Sequence, residues 1–177
     1  LSEIVVINAC SSTSLTYHSS NPPDQTISWS GGTGSDDGIG VFYKPPVYPV
    51  TITSLEYYIM GTSADGFDAV IYANDAPFGA PGTILSTTSV PFASVVAGNW
   101  NVVNLLTPVT IDSAGFYVVW YQTGPTISIG LETAFPFSRN NYEILDGSWS
   151  EYRVNEDQDA AIRVNIIPPG LDNSTSV

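Results

Sequence analysis

Between residues 115 and 121 the chain reads GFYVVWY, and alternation places Phe116, Val118 and Trp120 on one face with Tyr117, Val119 and Tyr121 on the other. Both faces are apolar or aromatic, so the pattern predicts a strand covered on both sides and central in its sheet. The run FDAVIYA, residues 67–73, follows the same rule, with Phe67, Ala69 and Ile71 opposed to Asp68, Val70 and Tyr72. In residues 51–60 the apolar phase changes between Ile52 and the set Leu55, Tyr57, Ile59, which predicts a bulge or bend. Further strands are expected near 26–29, 39–43, 83–90, 100–106, 126–132, 142–149 and 160–167. No stretch sustains the i, i+3, i+4, i+7 apolar stripe of a helix.

The expected fold is therefore all-β. Prolines in KPPVYP (44–49) and IIPPG (166–170) mark places where ladder pairing stops, because proline has no N–H to donate. About eight to ten strands with long, irregular connections fit a two-sheet antiparallel β-sandwich of jelly-roll or Greek-key type. No internal repeat is visible.

The N-terminus carries an extended strand arm. Ile4, Val5, Val6 and Ile7 are apolar on both faces, and the following residues 10–25, rich in Ser, Thr and Pro, contain no obvious pairing partner. A strand of this kind requires a sheet. It either folds back on its own sheet or is donated to a neighbouring subunit, and the polar connector is long enough to reach well beyond one domain's edge. The domain division that follows is 1–25 for the strand and Ser/Thr/Pro-rich linker, 26–167 for the sandwich, and 168–177 for a C-terminal tail.

Composition narrows the function. Charged residues make up 12% of the 177-residue sequence, and 17 acidic against 4 basic residues give a formal charge of −13. Such a surface repels phosphate backbones and anionic bilayers, so nucleic acid is a poor partner. No apolar run reaches the length of a membrane span. The chain begins at Leu1, as a chain that has lost an export signal or a fragment would. The lone Cys10 has no intrachain disulfide partner, so the fold must be held by its core.

The stretch VFYKPPVYPVTITSLEYYI, followed by FDAVIYANDAPFGAPGTIL, resembles a β-sandwich accessory domain found in large secreted and cell-surface bacterial proteins. The later segments NWNVVNL, GFYVVWYQTGPTISIGLE, DGSW and EDQDAAIRV resemble the closing half of that domain, so the similarity spans about residues 38–167. The leading segment 1–25 has no counterpart in it. The resemblance implies a non-catalytic, extracellular sandwich.

Candidate chemistry is sparse. The one histidine, His18, sits in the Ser/Thr-rich segment and reads as a solvated linker residue, and no nucleophile–base motif or zinc motif is present. Glu132, Glu143, Glu151 and Glu156 could supply a paired-carboxylate glycosidase only if two of them faced each other across a cleft. The acidic loops GSDDG (34–38), ANDAPFG (73–79) and NEDQD (155–159) suggest calcium, whose hard charge prefers several carboxylate and carbonyl oxygens; Asp36, Asp37, Asp157 and Asp159 are the candidate ligands. Trp100 and Trp149, beside loop residues, are candidates for stacking on sugar rings, whereas Trp120 reads as core. Asn173 heads the sequon Asn173-Ser174-Thr175, and Ser11, Ser12, Thr13, Ser14, Thr16, Ser19 and Ser20 form a cluster suited to O-linked sugars.

Together these readings predict an extracellular or cell-surface protein without catalytic activity. The leading expectation is a structural subunit of a fibre or surface assembly that forms homopolymers by donating Ile4–Ile7. The alternative is a carbohydrate-binding or adhesive accessory module with glycans as partners.

Overall fold

The computed structural model describes residues 12–18, 22–30, 36–134, 136–151 and 158–170. Among them thirteen strands run in order: β1 (Thr13–Leu15), β2 (Gln25–Ile27), β3 (Gly38–Tyr43), β4 (Val50–Gly61), β5 (Phe67–Ala73), β6 (Ile84–Val90), β7 (Asn99–Ile111), β8 (Phe116–Gln122), β9 (Ser128–Glu132), β10 (Asn141–Leu145), β11 (Ser148–Glu151), β12 (Asp159–Ala160) and β13 (Ile162–Ile167). The only helical elements among the described residues are two single 3-10 turns, Pro77–Gly79 and Phe92–Ser94. No helix of the described residues is long and apolar enough to cross a membrane.

The strands form two antiparallel sheets. One is six-stranded in the order β11-β10-β3-β8-β5-β6; the other has seven strands, with β13 and β7 on opposite sides of β4 and the short β9, β12 and β2 extending one end. The chain crosses between the layers from β3 to β4, β4 to β5, β6 to β7 and β7 to β8, so that β1-β13-β4-β7 lies against β3-β8-β5-β6. That order is a jelly roll, which resolves the choice left open by the strand count.

The core lies between the sheets and is supplied by alternate positions. Phe116, Val118 and Trp120 of β8, Phe67, Ala69 and Ile71 of β5, and Ile39, Val41 and Tyr43 of β3 meet Ile52, Leu55, Tyr57 and Ile59 of β4 and Ile162, Val164 and Ile166 of β13. Each large side chain removed from water in this way contributes roughly 1.5–3 kcal/mol before conformational entropy is subtracted. Two buried tyrosines tie one sheet to the other: Tyr43 Oη donates to the Ile162 carbonyl at 2.7 Å, and Tyr57 Oη donates to the Val119 carbonyl at 3.1 Å. Satisfying these hydroxyls is what lets polar atoms sit in the apolar layer.

The predicted phase change in residues 51–60 is a bulge. Against β13, Ile52 pairs with Ile166 and Ser54 with the adjacent Asn165, so Thr53 is an extra residue in β4 and the facing phase shifts there; opposite it, residues 105–108 of β7 leave the ladder around Pro108, which has no N–H to offer. The central position expected for residues 116–122 also holds: β8 lies between β3 and β5, and all seven of its residues are buried.

Three expectations need correction. Residues 142–149, expected as one strand, form the hairpin β10–β11 around Asp146 and Gly147, whose φ values of 48° and 73° are those of a type I′ turn. His18, expected in solvent, is buried and packed on Trp100 with its ring centroid 5.0 Å away. Within the 1–25 segment, Thr13–Leu15 pairs with β13, so part of the supposed linker is an edge strand. The arm Ile4–Ile7 and Cys10 lie outside the described residues.

Candidate functional site

The outward face of the six-stranded sheet is aromatic, for reasons that start with pairing register. Tyr117, Val119 and Tyr121 alternate with the core residues of β8, and β3 sets Phe42, Gly40 and Gly38 beside them. On the other side, β5 sets Tyr72, Val70 and Asp68 opposite the same three residues. Beyond β3, Tyr142 of β10 lies opposite Gly40, Ile144 lies opposite Gly38, and Trp149 of β11 lies opposite Ile144.

Trp149 reaches across from the sheet edge to lie over Gly40, where a Cβ would come within 2.9 Å of its Cζ3 atom. The missing side chain makes room for the indole. Around it, Tyr72 and Tyr117 present nearly perpendicular rings at 5.5 and 5.6 Å, and Tyr142 is tilted at 6.3 Å. Tyr117 also meets Tyr142 at 5.3 Å and Phe42 at 4.9 Å. Edge-to-face packing of this kind holds rings in fixed orientations without a ligand. Val70, Val119, Tyr121 and Ile144 form the layer beneath. Phe42, Tyr72, Tyr142 and Trp149 remain partly exposed, so the face is ordered and still open to solvent.

Polar groups border the rings. Tyr72 Oη and Tyr121 Oη are 3.1 Å apart, and Asp68 accepts a hydrogen bond from Ser89 Oγ. Burial pushes the Tyr117 hydroxyl up to about 12 and raises that of Tyr121 as well, so both stay neutral at physiological pH. Tyr117 Oη donates to the Gly79 carbonyl at 2.6 Å, which fastens the 74–83 loop to the rim of this face.

The hairpin that carries Trp149 is held from below. The Asp146 N–H donates to Asp37 Oδ1 at 3.0 Å, and the Gly147 N–H donates to the Asp36 carbonyl at 2.9 Å. Asp36 and Asp37, considered above as calcium ligands, thus buttress the turn. Asp159 is in the other sheet and buried, where it accepts from the Ser138 N–H at 3.0 Å and from Asn141 Nδ2 at 2.9 Å. Among the described residues no three His, Cys, Asp or Glu side chains gather as a metal-holding group. Asp157 and Asn173 lie outside the described residues.

The two tryptophans read as stacking candidates do not converge, since Trp100 is on β7 in the seven-stranded sheet and Trp149 is on β11 in the other. Trp100, half-buried like Trp149, has three side chains of its own chain packed on it. His18 stacks on it, Arg163 Cζ sits 3.8 Å from its ring centroid, and Tyr58 meets it edge-on at 5.4 Å. Arg163 Nε donates to His18 Nε2 at 3.2 Å, and its Nη1 lies 3.8 Å from Glu56 Oε2. This arrangement pins residues 13–18 to the sheet. Of the carboxylates weighed for catalysis, Glu143 accepts from Trp29 Nε1 at 3.2 Å on the inward side of β10, Glu132 is buried in the other sheet, and Glu151 is exposed on β11. Glu156 lies outside the described residues.

Local sequence does not mark Phe42, Tyr72, Tyr117 and Tyr142 as site residues. The available signal was the Asp146-Gly147 pair, a strong hairpin mark that would have turned Trp149 back over the sheet.

No protein-family model and no curated protein matches the sequence. Among solved structures, the chain is similar to a clostridial cysteine protease, Cwp84, after propeptide cleavage, with a TM-score of 0.64 at 8% identity over 89% of this chain and 40% of that one. It is also similar to a structure of the cysteine protease and lectin-like domains of Cwp84, a surface-layer-associated protein of Clostridium difficile, with a TM-score of 0.55 at 8% identity over 75% of this chain and 32% of that one. The likeness falls on the lectin-like part, and this chain spans well under half the length of either structure. At that identity the shared property is the fold: a two-sheet β-sandwich.

Proposed function

We propose that the chain is a non-catalytic accessory module of a cell-surface or secreted protein, and that it binds glycans on the outward face of the six-stranded sheet. One observation carries the reading: Trp149, partly exposed, lies over Gly40 among Tyr72, Tyr117 and Tyr142. Sugar rings present apolar C–H faces rimmed by hydroxyls, and fixed aromatic rings beside neutral phenols and an acidic acceptor complement both features. The lectin-like, surface-layer-associated neighbour supports the same reading. Glycan-array binding followed by tryptophan-fluorescence titration tests it. Trp149→Ala should abolish the signal while Trp100→Phe retains it; binding that survives Trp149→Ala in a folded protein would refute the assignment.

A second reading, homopolymerisation by donation of Ile4–Ile7, draws support from β7. Among the described strands β7 pairs only with β4, and its outward Val102 and Leu106 are exposed. An open strand edge with apolar residues suits an added extended segment. Deleting residues 1–9 should abolish polymer, and a peptide of that sequence should restore it; fibres formed by the truncated chain would end this reading.

A further inference from the structure

Resting on the glycan-binding reading of the aromatic face, we infer that Phe78 is a contact residue of the same surface and that the ligand is an extended, uncharged glycan chain lying across the strands. Phe78 has a left-handed backbone, with φ 62° and ψ 20°, and its side chain is fully exposed. A bulky residue seldom adopts that conformation, and an aromatic ring in water gains nothing from burial in the isolated domain. Neither property serves the fold.

The loop that holds Phe78 is tightly bonded. Asp75 accepts from the Thr83 N–H and from Thr83 Oγ1, both at 2.7 Å, while the Ala73 and Gly82 N–H groups donate to the carbonyls of Thr83 and Ala73 at 2.8 and 3.0 Å. The next residue, Gly79, accepts the Tyr117 hydroxyl, and Tyr117 is itself in contact with Trp149. Phe78 is therefore presented at the rim of the aromatic face by a fixed loop.

Extent sets the ligand's length. With the Trp149 indole seated over Gly40 of β3, the rings extend from Tyr142 on β10 over β3 and β8 to Tyr72 on β5, after which the chain enters the Phe78 loop. Three inter-strand steps of about 4.8 Å make roughly 14 Å, and Phe78 lies beyond them, a span for several linked sugars and too long for one. Charge sets the ligand's class. The sequence carries −13, and Asp68 and Glu151 are on strands of this sheet. Among the described cationic residues, Lys44 and Arg139 lie beyond the ends of β3 and β10, and Arg163 is in the other sheet. An anionic polysaccharide would be repelled, whereas a neutral chain would not.

Isothermal titration of the wild type, Trp149→Ala and Phe78→Ala tests the inference, with neutral gluco- and manno-oligosaccharides from monosaccharide to hexasaccharide and a polyuronate as the anionic probe. Affinity of the wild type should rise with length, and Phe78→Ala should weaken the hexasaccharide roughly tenfold while leaving the disaccharide unchanged, as loss of one aromatic contact predicts. A Phe78→Ala protein that binds every length as the wild type does, or a wild type that binds only the polyuronate, would overturn the inference while leaving a glycan function standing. Binding unaffected by Trp149→Ala would instead refute the assignment of the face, and a wild type that binds no probe refutes both. Because Phe78 is fully exposed, Phe78→Ala should melt as the wild type does.

Discussion

The indole of Trp149 occupies the space that a side chain at position 40 would fill, with a Cβ on Gly40 falling 2.9 Å from Cζ3 and 3.2 Å from Cη2 of the ring. Val119 Cγ2, at 3.3 Å, closes the third side. Gly40→Val should therefore displace the indole, abolish the proposed glycan binding and cost about 1–3 kcal/mol of stability. Denaturant melts and a binding titration check both effects; a Gly40→Val protein with wild-type affinity would show that the seat of Trp149 is irrelevant to the ligand.

The turn that aims Trp149 depends on residues with positive φ. Gly147 has φ 73°, and a Cβ added there would have no neighbouring atom within 4 Å, so Gly147→Ala meets no clash and bears only backbone strain. The expected loss is about 1–2 kcal/mol, measured by urea unfolding. Glycan affinity should fall with it, because β11 is held through this turn. An unchanged midpoint would contradict the type I′ geometry.

His18, Trp100 and Arg163 form a clasp on the opposite sheet from Trp149. His18→Ala removes a stacked ring and the acceptor for Arg163 Nε, for an expected cost of about 1–3 kcal/mol. Limited proteolysis should then cut more readily near residues 12–18, while glycan affinity stays at the wild-type value. Loss of binding in His18→Ala would couple the two faces and contradict this separation.

At alkaline pH the tyrosines govern stability. Burial raises the hydroxyls of Tyr43 and Tyr57 well above the usual 10.0 and that of Tyr117 to about 12. Groups whose folded pKa is raised contribute fully below pH 10 and lose that contribution as pH rises through the folded values. The native protein at pH 11 should accordingly show fewer ionised tyrosines by ultraviolet absorbance than the denatured chain, with unfolding as pH nears 12. Complete tyrosine ionisation near pH 10 without unfolding would disprove this.

At acid pH three surface carboxylates matter. Hydrogen bonds from Thr133, Thr126 and Thr83 hold Asp24, Asp65 and Asp75, respectively, below the usual 3.8. Their contribution is present above pH 3.8 and lost as pH falls through the depressed folded values. Replacing all three with Asn should flatten the fall in melting temperature below pH 3.8, and a fall as steep as that of the wild type would assign acid unfolding to other groups.

Local alternation was enough to show most of the strands, the two faces of residues 116–121 and the break in residues 51–60, because side-chain direction repeats every second residue whatever the strand's neighbours are. It did not show β1 or the division of residues 142–149. The scarcity of charged residues and the acidic balance were equally plain. What alternation could not show is which outward faces come together. Tyr72, Tyr117 and Trp149 meet only because β5, β8, β3, β10 and β11 pair in that order, and pairing between distant segments is decided by how the whole core closes. His18 looked like linker for the same reason: the ring that buries it, Trp100, belongs to a strand far along the chain. Alternation thus determined most strands and which of their side chains share a face, whereas the jelly-roll pairing decided that Trp149 joins the aromatic face of one sheet while Trp100 packs with His18 and Arg163 on the other.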